Sequence, residues 1–139
     1  MKRSLVKDNE ILRLALNVSQ VCKLRCKYCY ANSGTYGTPG LMNKKVLRQA
    51  LNFFLSKYKI HNIHIFGGAP LLNVDIIDEI FRILALKFNK KTTDNYSYKL
   101  VCSRKKLNHF IEICKAYVDK LIIDIVVNVD GFKEIHDYT

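Results

Sequence analysis

The stretch Leu12-Arg13-Leu14-Ala15-Leu16-Asn17-Val18-Ser19-Gln20-Val21-Cys22-Lys23-Leu24-Arg25-Cys26-Lys27-Tyr28-Cys29-Tyr30 bears on both the fold and the chemistry. Leu12, Leu14, Leu16 and Val18 alternate with Arg13, Ala15 and Asn17, the period of two that a strand shows when one face is buried, and this predicts a strand over residues 12–18. Cys22, Cys26 and Cys29 follow at once with C-x3-C-x2-C spacing, in a loop expected to run from Gln20 to Thr38-Pro39-Gly40.

Downstream, short strand-like runs alternate with longer helical ones. Asn43 is placed to cap a helix whose Leu47, Ala50, Leu51, Phe54 and Tyr58 recur at three- and four-residue spacing. Residues 63–66 read as a short strand ending at Gly67-Gly68. Asn73 reads as the cap of a second helix that turns Ile77, Ile80, Phe81, Leu84 and Phe88 inward. A polar loop over 89–95 leads to a strand over 96–102. A helix over 107–118 follows, with Leu107, Phe110, Ile111, Cys114 and Val118 on one face, and then an apolar, β-branched strand over 121–129. Asp130-Gly131 turns the chain towards a fourth helix. The alternation predicts an α/β chain of about four parallel βα units with right-handed crossovers.

The chain has 139 residues, 49% of them hydrophobic and 25% charged, with two prolines and six glycines, which describes one folded domain rather than a disordered or low-complexity chain. No run is long and apolar enough to span a bilayer, and the N-terminal run around Arg13 lacks the pattern of an export signal, so a cytoplasmic location without membrane association is expected. Twenty-three Lys and Arg against twelve Asp and Glu give a formal charge of +11. Those charges are scattered, and no recognition-helix pattern or aromatic platform accompanies them. A solvated lysine-rich surface is therefore expected in preference to a nucleic-acid face.

Five cysteines, an odd number without an export signal, argue against a disulfide framework and towards metal binding or buried thiols. Three thiolates on one loop suit three irons of a 4Fe–4S cube with the fourth left open. Zinc is the competitor, although a closed structural zinc site needs four ligands and usually a second C-x2-C pair. Buried thiols are the third alternative, in a polar, basic loop that suits them poorly. Cys114 falls on an apolar helical stripe and is expected in the core. Cys102 ends a strand on the side where parallel α/β proteins place their sites, as an additional ligand or substrate-thiol candidate. His64 lies on one strand side with Asn62 and Phe66 and is expected to be packed; His61 and His109 are expected at the surface.

On its motifs the chain resembles the radical S-adenosylmethionine superfamily, and more narrowly its peptide-modifying branch of sulfatase maturases and SPASM-type peptide maturases. The cysteine loop matches the cluster motif, with an aromatic residue, Tyr28, before the third cysteine. Ile65-Phe66-Gly67-Gly68-Ala69-Pro70-Leu71-Leu72-Asn73 is similar to the family's second-strand motif, usually GGEP followed by LL. Asn128-Val129-Asp130-Gly131 with Ile135-His136-Asp137 is similar to the segment after the fourth strand.

The resemblance implies an enzyme that reductively cleaves S-adenosylmethionine and uses the resulting 5′-deoxyadenosyl radical to abstract hydrogen from a peptide or protein side chain. It implies Cys22, Cys26 and Cys29 as cluster ligands and Tyr28 beside the adenine. Gly67, Gly68, Ala69 and Pro70 would lie along the methionyl end, and Asn128 and Asp130 near the ribose, on a strand face they share with Asp124. Lys23, Arg25 and Lys27, which interleave the cysteines, are expected to dock an acidic electron donor such as flavodoxin or ferredoxin. Ala69 stands where the family usually has a glutamate that accepts from the cofactor's ammonium, and Cys102-Ser103-Arg104 stands where it often has TNG. The family's barrel has six strands. The expected fold is therefore a truncated, partial TIM-like (β/α) barrel of about four of the usual six units, residues 1–139 forming an incomplete core domain. Its last strand, at an open edge, would favour self-association or a partner chain. The alternative function is a cluster-binding module without catalysis.

Overall fold

The computed structural model of the chain describes residues 7–24, 26–88, 96–100 and 104–127. In chain order the elements are β1 (Glu10–Ile11), β2 (Leu14–Ser19), α1 (Lys44–Lys57), β3 (Lys59–Ile60), β4 (Ile63–Gly67), a 3-10 turn (Pro70–Asn73), α2 (Val74–Lys87), β5 (Tyr96–Leu100), α3 (Arg104–Tyr117) and β6 (Ile123–Val127). Strands β2, β4, β5 and β6 form one parallel sheet in that spatial order. Each new strand adds beside the last, with no reversal of order. This is single winding, the way a (β/α) barrel is built, whereas a doubly wound sheet reverses direction at a switch point.

The expected alternation over residues 12–18 is present but displaced. Leu12 is 58% exposed, and the strand proper begins at Leu14. The chain breaks at Leu12-Arg13 between β1 and β2, and the partner breaks at His61-Asn62 between β3 and β4. Bonds from His61 N to Ile11 O and from Leu14 N to Asn62 O, both 2.9 Å, carry the parallel pairing across the gap.

Leu14, Leu16 and Val18 of β2 and Ile63 and Ile65 of β4 form one core with Leu47 and Leu51 of α1, Ile77, Ile80, Phe81 and Leu84 of α2, and Phe110, Ile113 and Cys114 of α3. The helices thus cover one sheet face. The other face, carrying Ala15, Asn17, His64 and Phe66, is not sealed by them, and Asp124 on β6 is exposed. Among the described residues β6 is the sheet's edge, with Ile125 48% and Val126 42% exposed.

Asn43 caps α1 as expected, its side chain accepting from Val46 N at 2.9 Å. Asn73 precedes α2 but does not cap it; its Nδ2 donates instead to Val18 O (2.8 Å) and Met42 O (2.9 Å), lashing the start of α2 to the end of β2. Helix α3 begins at Arg104 rather than at 107 and ends before Val118. Its buried face is Phe110, Ile113 and Cys114 with Leu107 and Tyr117 packed against the core, while Ile111 and Val118 are exposed. At 100° per residue, positions 111 and 113 flank the 110–114 stripe symmetrically, so the packing against the core and not the periodicity selects Ile113 as the buried one. The polar loop over 89–95 and the turn at Asp130-Gly131 lie outside the described residues. No helix among the described residues is long and apolar enough to cross a membrane.

Candidate functional site

The cysteine loop leaves the C-terminal end of β2 and returns to it. Gln20 N bonds Gly40 O at 2.8 Å, Gly40 N bonds Gln20 O at 3.4 Å, and Ser19 forms an antiparallel bridge with Leu41, so residues 20–40 are closed at the neck. Cys22, Cys26 and Cys29 form no disulfide among the described residues, and each is half-buried. After Cys29 the backbone enters left-handed conformations at Asn32, Ser33, Gly34, Tyr36 and Gly37, with φ between 48° and 87°. Asn and Gly take these readily; Ser and a bulky Tyr do so at a cost. Bonds from Tyr36 N to Ala31 O (2.9 Å) and from Thr35 Oγ1 to Asn32 O (2.9 Å) hold the turn. The backbone amide of Ala31 lowers the Cys29 thiol below its ordinary value, with those of Gly34 and Ser33 assisting against the opposing effect of burial.

The end of β4 is zipped to the root of this loop. Gly68 N donates to Ser19 O at 2.8 Å and Ala69 N to Val21 O at 2.9 Å, extending the β2–β4 pairing past both strands. A Cβ on Gly68 would lie 2.7 Å from Gly34 Cα and 2.9 Å from Val21 O, and one on Gly34 would lie 2.7 Å from Cys22 Cβ. Gly67, at φ +154°, presents the same crowding towards Ser19 O and Asn17 Oδ1. The glycine pair is thus required first by the protein's own backbone approach, whatever it does for a ligand. Pro70 and Leu71 are buried, and Lys106 Nζ donates to Leu72 O at 2.9 Å, fixing the 3-10 turn against α3.

Between loop and sheet lies a file of rings. Tyr36 packs edge-on to Phe66 (centroids 6.5 Å apart) and to Tyr30 (6.2 Å), and Phe66 lies 5.6 Å from His64. Burial, with help from the hydroxyl contact to Tyr30, pushes the Tyr36 phenol up to about 12, so it is a neutral group at physiological pH. Asn17 opposes Phe66 in register, and its buried Oδ1 has no hydrogen-bond partner among the described residues.

The structure therefore brings the loop of Cys22, Cys26 and Cys29 against Gly67, Gly68 and Ala69, with Pro70 behind them. It does not gather three His, Cys, Asp or Glu side chains as a metal site among the described residues. The donor chemistry still suits iron: three half-buried thiols share one loop, and Cys29 is stabilised as a thiolate. Tyr28 is 59% exposed on the loop, beside exposed Lys23 and Lys27. Arg25, Cys102, Asn128 and Asp130 lie outside the described residues. Cys114 is in the core, where burial pushes its thiol up to about 11. His109 is exposed as expected, but His61 is half-buried on Glu10 at 3.1 Å. Sequence reasoning passed over Tyr36 and the buried Ser19, whose Oγ donates to Val21 O at 3.1 Å. For Tyr36 the only available signal was a tyrosine set between Gly34 and Gly37.

A model of the family described as the radical SAM superfamily matches residues 16–139. Among curated proteins, an uncharacterized protein of Methanocaldococcus jannaschii is 30% identical over 129 residues, 89% of this chain and 40% of that protein. A probable GTP 3′,8-cyclase of Methanococcus aeolicus is 32% identical over 60% of this chain and 27% of its own length. A pre-heme d1 synthase of Dinoroseobacter shibae is 30% identical over 52% of this chain and 19% of its own length. The chain spans less than half of each of these relatives. No solved structure matches it.

Proposed function

The chain belongs to the radical SAM superfamily, and from that premise we propose that it forms the cofactor-binding part of an enzyme that cleaves S-adenosylmethionine reductively. The superfamily's cofactors are a 4Fe–4S cluster and S-adenosylmethionine. One observation supports the site assignment above others: the backbone of Gly68 and Ala69 is bonded to Ser19 and Val21, directly below Cys22. A loop of three thiols and a glycine-rich strand end are thereby held as one unit at the C-terminal end of a parallel sheet, where such folds place their chemistry.

In this proposal Cys22, Cys26 and Cys29 hold the cluster as thiolates, and the amides around Cys29 stabilise its sulfur. Gly67, Gly68, Ala69 and Pro70 line the methionyl end of the cofactor, Tyr28 meets its adenine, and Asn128 and Asp130 attend its ribose. The one-electron reductive chemistry would come from the cluster and S-adenosylmethionine once these residues held them, and not from protein side chains. The protein's part is positional: the neck at Gln20 and Gly40 fixes the loop, the edge-on packing of Tyr36 and Phe66 sets the loop against the strand end, and Asn73 locks α2 to β2.

For the substrate we propose a peptide or protein side chain, supported by the resemblance of the Gly67 to Asn73 and Asn128 to Asp137 segments to peptide maturases. The relatives named for GTP and for pre-heme d1 supply the rival classes. The proposal also places the enzyme in the cytoplasm, takes an acidic protein as electron donor, and gives the edge of β6 a further strand from this chain or another. Replacing Ile125 with Lys should abolish any concentration-dependent association seen by sedimentation; unchanged association would remove β6 from that role. A second reading, a cluster-binding module without catalysis, is favoured by Ala69 alone, since a methyl group accepts no hydrogen bond.

The deciding experiment is anaerobic reconstitution with iron and sulfide, followed by addition of S-adenosylmethionine and dithionite. Release of 5′-deoxyadenosine is expected, lost in Cys22→Ala, Cys26→Ala and Cys29→Ala. A loaded cluster that yields none would establish the second reading.

A further inference from the structure

Helix α1 has two flanks, and among the described residues only one of them is joined to another helix. Arg48 donates to Glu79 of α2 at 2.8 Å, and Lys87 of α2 donates to Leu55 O at 2.7 Å, so α2 packs along the side that carries positions 48 and 55. At about 100° per residue, Val46, Ala50, Phe53 and Lys57 fall on the opposite side of α1, about half a turn round. They recur at four-, three- and four-residue spacing and make one stripe of about three turns. Because α1 crosses from β2 to β4 and the sheet runs on from β4 to β5 and β6, this flank faces past the β2 edge.

The stripe is apolar between two cations. Val46 and Phe53 are each 47% exposed, and Ala50 is half-buried. Lys57 Nζ lies 4.4 Å from the centroid of the Phe53 ring, so an ammonium rests where a neighbouring helix would place a side chain. Exposed Lys45 stands at the other end. Residues 11–74, which include all of α1, contain no Asp or Glu.

We propose that this flank is the docking surface for an acidic amphipathic helix of another protein, which packs an apolar ridge on Val46, Ala50 and Phe53 and sets carboxylates on Lys45 and Lys57. The joint between α1 and α2 already works in this way, with apolar packing closed by Arg48 on the carboxylate of Glu79. Small Ala50 between two larger side chains leaves a depression for an incoming ridge. An arriving carboxylate draws Lys57 off the Phe53 ring, and an apolar side chain takes its place there. A second copy of α1 would bring the same lysines to the same stripe, so like charges oppose self-association. A lipid surface suits it poorly too, since exposed Gln49, Asn52 and Ser56 narrow the stripe where membrane-binding helices present a broad apolar face. Phe53 lies about 14 Å along α1 from Lys44, which separates this surface from the cysteine loop.

Fluorescence anisotropy on the 139-residue chain tests this with two labelled helical peptides, one with a leucine ridge flanked by glutamates and one with the same ridge flanked by lysines. The acidic peptide should bind and the basic one should not. Phe53→Ser should weaken binding of the acidic peptide at least about 10-fold, as loss of an aromatic anchor does at other interfaces. Val46→Ser should weaken it in the same direction and takes over the test if the Phe53 variant does not fold. Lys57→Glu should weaken the acidic peptide about 3- to 10-fold and admit the basic one. Failure of the acidic peptide to bind, equal binding of both peptides, or binding indifferent to both Phe53→Ser and Val46→Ser would overturn the proposal. So would co-sedimentation with phosphatidylserine vesicles, or self-association in sedimentation velocity, that is lost in Phe53→Ser, since either would give the stripe to a different occupant.

Discussion

At position 68 an added Cβ would meet only backbone: Gly34 Cα at 2.7 Å, Gly34 O at 2.8 Å and Val21 O at 2.9 Å. None of these atoms is the far end of a flexible side chain, so relief requires the cysteine loop to move away from β4. Gly68→Ala and Gly34→Ala should each cost about 1–3 kcal/mol of stability, as overpacking does elsewhere. They should also lower the iron retained after reconstitution, because the displaced segment carries Cys22. Gly40 is the control, since nothing lies within 4 Å of a Cβ there. Gly40→Ala should leave melting temperature and iron content unchanged; equal losses in all three variants would show that loop flexibility, not close approach, is at stake.

Helices α1 and α2 are joined by one buried carboxylate. Glu79, 6% exposed, receives Arg82 at 2.7 and 3.0 Å from its own helix and Arg48 at 2.8 Å from α1. The Arg82 hydrogen bonds, with those of Arg48, hold the Glu79 carboxyl down at about 2 against the opposing effect of burial. A depressed folded-state value means the contribution to stability is whole above the unfolded carboxylate range near 4.5 and drains away as pH falls towards 2. Glu79→Gln should therefore cost about 1–3 kcal/mol at pH 7. In urea titrations the gap between wild type and variant should close between pH 4.5 and pH 2; a gap constant with pH would deny the ion pair its role. Nothing in the periodicity pointed to Glu79, because an apolar-stripe pattern has no place for a carboxylate that brings its own partners. The strands and helices themselves were legible, since β-period and helix-period runs alternate so cleanly. Their ends were less so: Leu12 keeps the alternation yet is 58% exposed, because it lies in the irregular step between β1 and β2, outside the regular strand that begins at Leu14. Asn73 sits where a cap belongs but serves β2, an interaction 55 residues distant in sequence that no local pattern encodes. The site was legible as a set of motifs, and their meeting through Ser19, Val21 and Gly34 was not.

Over the whole molecule, charge is distributed by region rather than evenly. Residues 11–74 hold nine Lys and Arg and no carboxylate, and they include β2, the cysteine loop, α1 and β4. Exposed Lys23 and Lys27 lie on the loop, and exposed Lys44 and Lys45 start α1 just beyond its neck at Gly40. Leu24 at 48%, Tyr28 at 59% and Tyr30 at 87% exposure add apolar surface among these charges. A face that is uniformly basic and partly apolar fits an acidic protein that arrives by long-range attraction and seats on short-range contact. On the proposed reading, in which this loop holds the cluster, that acidic protein is the electron donor. Reduction by an acidic flavodoxin or ferredoxin should slow as salt rises past about 0.1 M, where the screening length falls to about 10 Å. Lys23→Glu combined with Lys27→Glu should slow it further and flatten the salt dependence, while reduction by dithionite, a small reagent that needs no docking, serves as the control for cluster integrity. If the double variant accepts electrons from the protein donor at the wild-type rate and with the wild-type salt dependence, the donor docks elsewhere, and the basic face is ordinary solvated surface.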